Sequence, residues 1–194
     1  MTRHDFQIIS DWIQPNARVL DLGCGDGNLL KYLQNARQVR GYGVELADKN
    51  VLACVQNGVN VIQRDLEAGL AEFASDTFDY VVLSQTLQAM HHTEAILREM
   101  LRVAREGIVT FPNFGYWKNR VQVLRGNMPV SPDIPYQWYN TPNVHLCTMH
   151  DFEALCDKLN IHIRERIVMT GGKRVSFLRN LTGSLAFYRF ERNG

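Results

Sequence analysis

The chain has 194 residues, is 45% hydrophobic, and carries 21 Lys and Arg against 20 Asp and Glu, for a formal net charge of +1. This is enough chain for one compact domain with its own core. Scattered basic residues give no broad positive field of the kind that holds nucleic acid.

No apolar run approaches the length of a membrane span; Tyr80 to Leu83 and Ile108 to Phe111 are typical, and the opening residues lack a secretory hydrophobic region, so a cytoplasmic protein is expected. Cys24, Cys54, Cys147 and Cys156 show no C-x-x-C spacing, which favours reduced thiols over disulfides or zinc, and no metal is expected.

In chain order, Phe6, Ile9, Trp12 and Ile13 predict a short amphipathic helix, closed by Pro15-Asn16 before a strand at Arg18 to Leu22. Leu29, Leu30 and Leu33 mark a second helix. A strand at Gly41 to Glu45 follows, then a helix read from Val51, Leu52 and Val55 that ends at Gly58. Val59 to Gln63 and Phe78 to Ser84 read as further strands. Ile96, Leu97, Met100 and Leu101 form the apolar face of a helix leading into a strand at Ile108 to Phe111. This alternation implies a parallel sheet covered by helices on both faces.

Between Pro112 and Cys147 the pattern breaks. Five of the six prolines, three tyrosines and two of the three tryptophans fall there, which marks the stretch as a substrate or partner element. Its aromatics Trp117, Tyr136, Trp138 and Tyr139 suit a pocket, an interface or a satellite core, while Lys118, Arg120 and Arg125 read as a solvated face. Thr148 and Asp151 form a capping box for a helix through Phe152, Leu155, Cys156 and Leu159. Strands near Ile161 to Met169 and Leu185 to Phe190 then suggest an antiparallel hairpin at the sheet edge.

The chemistry concentrates in Asp21-Leu22-Gly23-Cys24-Gly25-Asp26-Gly27. Glycines let the backbone turn sharply after a strand and approach a ligand closely. Dinucleotide folds use G-x-G-x-x-G to hold a pyrophosphate. Here the spacing is G-x-G-x-G, and Asp21 two residues before Gly23 suits a cationic amine better than a phosphate. Cys24 reads as a small residue wedged between glycines. Glu45 ends the second strand, where a carboxylate accepts two hydrogen bonds from a ribose diol, and Asp65 follows the third, within reach of an adenine amino group.

These three acids at successive strand ends resemble the class I S-adenosylmethionine-dependent methyltransferases over roughly residues 17 to 111. Asp21, Gly23, Gly25 and Gly27 match the first motif, Glu45 the second and Asp65 the third. The resemblance implies a Rossmann-like fold with a mostly parallel seven-stranded sheet and an antiparallel edge hairpin. It also implies a site for S-adenosylmethionine or S-adenosylhomocysteine that includes Cys24, Leu46, Leu66, Ser84 and Gln85. The domain is then organised as a nucleoside-binding half at 1–111, an insert at 112–147, and a closing helix and strands at 148–194.

Catalytic candidates are few. Ser84 to Gln88 holds neither an Asn/Asp-Pro-Pro-aromatic motif nor a Pro-Cys nucleophile, and G-x-S-x-G is missing from the chain. His91, His92 and His145 are general-base candidates, though surface or structural roles suit each as well.

Ser84 to Gln88, Arg105 to Trp117 and Tyr136 to His145 resemble, more narrowly, the bacterial methionine-biosynthesis family MetW, and this likeness covers nearly the whole chain. Members of that family act with the homoserine O-acyltransferase MetX, so the resemblance implies one of two roles. One is a nucleoside-sensing accessory subunit of that acyltransferase. The other is a methyltransferase acting on a small molecule.

Overall fold

The computed structural model describes residues 3–193. Helix α1 (Arg3–Trp12) leads into β1 (Arg18–Leu22), followed by α2 (Asn28–Arg37), β2 (Arg40–Glu45), α3 (Asp48–Gln56) and β3 (Val61–Gln63). A 3-10 turn at Leu66–Ala68, β4 (Phe78–Ser84), a second 3-10 turn at Leu87–Ala89, α4 (Thr93–Val103) and β5 (Ala104–Pro112) come next. The remainder is α5 (Trp117–Leu124), α6 (Met149–Lys158), β6 (Ile161–Thr170), β7 (Lys173–Arg174), α7 (Arg179–Thr182) and β8 (Leu185–Arg192).

The strands form one sheet in the order β3-β2-β1-β4-β5-β8-β6-β7. Strands β1 to β5 pair in parallel, and β8 runs antiparallel between β5 and β6. The sheet has eight strands where seven are predicted. The addition is β7, two residues joined to β6 through Gly171-Gly172, both at positive φ, a geometry that closes a tight hairpin.

Alternation along the strands divides the core in two. Val19, Tyr80, Val82 and Ile108 pack with Ile8, Ile9, Leu30 and Leu33 under α1 and α2. Leu20, Leu22, Val81, Leu83 and Val109 pack with Leu97, Met100 and Phe152 under α4 and α6. The strands are short and apolar because both faces are covered.

Two elements differ from the sequence reading. In α3, Leu52 and Val55 are 59% and 62% exposed, and the buried residue is Cys54, because this helix rests against the glycine loop at the sheet edge. Within 112–147 lies the helix α5, whose buried residue is the polar Asn119, anchored by donating from Nδ2 to Asn113 O at 3.2 Å. A helix held by an amide shows no apolar stripe in its sequence. The capping box of α6 forms as predicted, with Thr148 Oγ1 accepting from Asp151 N at 3.2 Å and the Asp151 carboxylate accepting from Thr148 N.

Candidate functional site

Strand order reverses at β1, which has β2 on one side and β4 on the other, and ligands of open α/β sheets bind beyond the carboxyl ends of the strands at such a point. The predicted site residues lie at these ends: Asp21 and Gly23 at β1, Glu45 and Leu46 at β2, Asp65 and Leu66 after β3, and Ser84 and Gln85 at β4.

The loop after β1 is held from below, where Gly23 N and Cys24 N both donate to Val44 O, at 2.8 and 3.1 Å. Gly25 has φ +57° and open space where a Cβ would stand, whereas at Gly27, φ +78°, a Cβ would meet Cys54 Sγ at 3.0 Å. One glycine therefore leaves room above the loop, and the other allows close packing beneath it. The Cys24 side chain turns into the core, with its Sγ 3.7 Å from Cys54 Sγ, so only its backbone is placed to face a ligand. Both thiols are free and, chiefly through burial, pushed above the usual thiol range.

Asp26 precedes the N-cap residue Gly27 of α2, and its Oδ1 accepts from Asn28 N at 3.2 Å. A dinucleotide pyrophosphate takes this position in related folds, and an acid there repels phosphate.

Asp21 is 2% exposed, and among the described residues burial and like charge act on its carboxylate with no compensating hydrogen bond. Burial first, and the nearby negative charge of Glu45 second, push it up to about 7. A buried acid without a partner is an electrostatic deficit that a cation repairs.

Glu45 is bound differently. Its Oε2 accepts from Gly25 N and its Oε1 from both Leu46 N and Ala47 N, each at 2.9 Å. The carboxylate thus ties the glycine loop to the β2–α3 turn, and the second lone pair of Oε2 stays free for a hydroxyl. Leu46 beside it is 58% exposed and offers an apolar surface to a flat ring. Asp65 caps the first 3-10 turn by accepting from Glu67 N at 2.9 Å. Gln85 holds a left-handed φ of +52°, fixed by donation from its N–H to Thr110 O at 2.8 Å, and Ser84 Oγ meets Thr110 Oγ1 at 2.9 Å. Strained backbone of this kind concentrates at functional sites.

The three histidines border one cleft, between the start of α4 and the start of α6. His92 Nδ1 lies 2.7 Å from Glu67 Oε2, and His91 N donates to Glu67 Oε1 at 2.6 Å. Burial raises Glu67, but these bonds outweigh it and hold the carboxyl below its usual range. This carboxylate partner was missing from the sequence reading because it sits some 25 residues away on a turn with no periodic signal. Trp117, Tyr136, Trp138 and Tyr139 are 45%, 41%, 73% and 70% exposed, which removes the satellite-core alternative; the buried aromatic of that stretch is Tyr116. Lys118, Arg120 and Arg125 are exposed, as expected.

The sheet order, the glycine loop and the acids at successive strand ends define the class I methyltransferase fold. Solved structures with this fold include a TehB-like S-adenosylmethionine-dependent methyltransferase from Corynebacterium glutamicum, with TM-score 0.67 and 13% identity over 98% of this chain and 88% of that one. Another is an S-adenosylmethionine-dependent methyltransferase from Archaeoglobus fulgidus, with TM-score 0.69 and 14% identity over 97% and 91%. The family described as "Methionine biosynthesis protein MetW" matches residues 3–190, and the chain belongs to it. A bifunctional methionine biosynthesis protein MetXA/MetW from Rhodopirellula baltica is 38% identical over 97% of this chain, which spans 33% of that relative's length. Among the described residues no helix is long and apolar enough to cross a membrane, and no cluster of metal-ligating side chains is found.

Proposed function

We propose that the chain binds S-adenosylmethionine or S-adenosylhomocysteine at the β1–β4 strand ends and acts as an accessory, regulatory partner of the homoserine O-acyltransferase MetX. The observation that carries the nucleoside reading is Asp21, a buried carboxylate that no donor among the described residues meets, at the foot of a loop whose Gly25 leaves open space. These residues fit the group. Asp21 would take the ligand's ammonium, Glu45 Oε2 a ribose hydroxyl, and Leu46, Asp65 and Leu66 the adenine, with Ser84 and Gln85 at the β4 side.

The partner reading rests on the Rhodopirellula baltica relative, whose name joins MetXA and MetW in one protein. Regulation through a nucleoside is a coupling of two binding equilibria and needs no chemistry from this chain. A second reading, methyl transfer to a small acceptor, is favoured by the Glu67–His92 pair, which holds an imidazole with one nitrogen available as a base.

The test is acyltransferase activity of the cognate MetX with and without this chain, each repeated with the two nucleosides present. Increased activity that the nucleosides tune supports the accessory role. Unchanged activity together with methylation of a small acceptor supports the second.

Glu45→Ala removes the acceptor shared by three backbone N–H groups as well as the ribose contact, and should weaken S-adenosylhomocysteine binding by about 1–3 kcal/mol in calorimetry. Glu45→Gln keeps one acceptor oxygen and should lose less. Equal affinity in wild type and Glu45→Ala rejects the ribose role.

A further inference from the structure

The cleft between α4 and α6, about 540 Å³, lies outside the residues assigned to the nucleoside. Its floor is apolar: Phe152 and Leu87 are 1% and 3% exposed, and Phe152 belongs to a packed aromatic group with Phe111 and Tyr188. Leu155 adds a further apolar wall. Such a surface fits an aliphatic body.

Gln88 borders this cleft and is 7% exposed. Its Nε2 donates to Gln85 O at 2.7 Å, which fixes the orientation of the amide, and its Oε1 is left without a partner. A buried amide oxygen in that state is costly until a donor reaches it. The main chain of Gln88 is firmly placed, since its carbonyl accepts from both Val144 N and His145 N, at 2.9 and 3.0 Å.

The imidazoles supply further acceptors. An ionised carboxylate can only accept, so His92 carries its proton on Nδ1 facing Glu67, and in the neutral ring Nε2 is left as an acceptor. His145 Nε2 faces His91 O at 3.4 Å, a carbonyl that also only accepts, which leaves His145 Nδ1 as an acceptor. The ionised side chains that border the cleft are the acids Glu94 and Asp151, and neither Lys nor Arg is among the described residues lining it. Lys158, which pairs with Glu94 at 2.5 Å, is not among them either.

Three acceptors, an acidic border and an apolar floor call for a ligand with several donors, no acceptor and a hydrocarbon tail. A primary ammonium has three N–H donors and no lone pair. We propose that this cleft binds a primary aliphatic amine as its ammonium, with the alkyl chain over Leu87, Phe152 and Leu155 and the N–H groups on Gln88 Oε1 and the free ring nitrogens of His92 and His145. The inference goes beyond the nucleoside reading; the residue the two share is Gln85, whose carbonyl orients the Gln88 amide.

Calorimetry and amide NMR on the full chain with n-hexylamine, n-hexanol and hexanoate test it. Hexylamine should bind with Kd on the order of 1 mM, as befits so small a ligand, with shifts at Gln88, His92 and His145. Hexanol, with one donor, should bind about tenfold more weakly, and hexanoate should not bind. Gln88→Leu, close in size, should lower hexylamine affinity about tenfold and leave hexanol unchanged. His92→Ala, at an exposed ring that folding does not need, should do the same if the Leu variant misfolds. Hexanoate binding as well as hexylamine, amine affinity undiminished in both variants, or no binding of hexylamine at about 10 mM each overturns the proposal. S-adenosylhomocysteine titrated into the same samples reports the nucleoside site separately, so failure of either reading is distinguishable.

Discussion

Asp21→Asn should raise the melting temperature of the ligand-free protein at pH 8 by about 4–8 °C, or about 2 kcal/mol, while weakening S-adenosylhomocysteine binding by about 10- to 100-fold. The two effects share one cause. Among the described residues the buried carboxyl has no donor, and burial with the charge of Glu45 pushes it up to about 7 from a usual 3.8, so holding it ionised costs the fold up to about 4 kcal/mol. The asparagine amide removes the charge but buries N–H groups of its own, which offsets about half of that gain.

The sign with pH follows from linkage. Between about 4 and about 7 the folded chain holds a proton that the unfolded chain has released, so stability falls as pH rises through this window and levels off above it. The Asn variant should lack that slope. A cationic ammonium selects the ionised carboxylate, so nucleoside affinity in the wild type should rise with pH to about 7 and then plateau, with proton release below that point. Thermal melts from pH 4 to 9 and calorimetry in buffers of different ionisation enthalpy check each part. An unchanged melting temperature and slope in the variant would show that the carboxylate has a partner in solution. Unchanged affinity would place the ligand's ammonium elsewhere.

Local chemistry explains why the strand-end positions of the candidate residues could be read in advance. A strand, a glycine turn and a helix are contiguous in the chain, and the switch point that puts β1 and β4 side by side follows from chain order. Asp21, Glu45 and Ser84 therefore fall where their positions at strand ends require. Residues whose roles depend on distant partners were not readable. Leu52 and Val55 carry the apolar signal of α3, yet Cys54 is the residue buried, because the glycine loop 30 residues earlier packs against it. Asn119 holds α5 through a hydrogen bond donated by its side-chain amide rather than through an apolar stripe. Glu67 gains its meaning only when the turn after β3 comes to rest beside His91 and His92. For Glu45 the sequence indicates a carboxylate at a strand end, but not that three backbone N–H groups already occupy it.

On the proposed partnership, replacing Trp138 and Tyr139 together by alanine should weaken association with the MetX acyltransferase by about 30-fold or more, equivalent to about 2 kcal/mol or more, and leave the fold intact. The two rings meet edge to face at 5.7 Å, with Trp138 73% and Tyr139 70% exposed. Leu146 and Val144, 54% and 45% exposed, lie in the same segment, and the main chain of Val144 is tied to Gln88. Exposed aromatics anchored to a rigid scaffold are the usual energetic centres of protein interfaces, since ordering them costs little and covering them removes a large apolar area from water. Their exposure also means that truncation opens no core cavity, so the melting temperature should change by less than about 2 °C. Association is read by co-purification and by surface-immobilised titration, and acyltransferase stimulation should fall in parallel. Retained binding in the double variant would move the interface off the 112–147 segment. The exposed face of α3 with Leu52 and Val55, beside Leu46 at the predicted adenine end of the nucleoside site, is then the next surface to truncate.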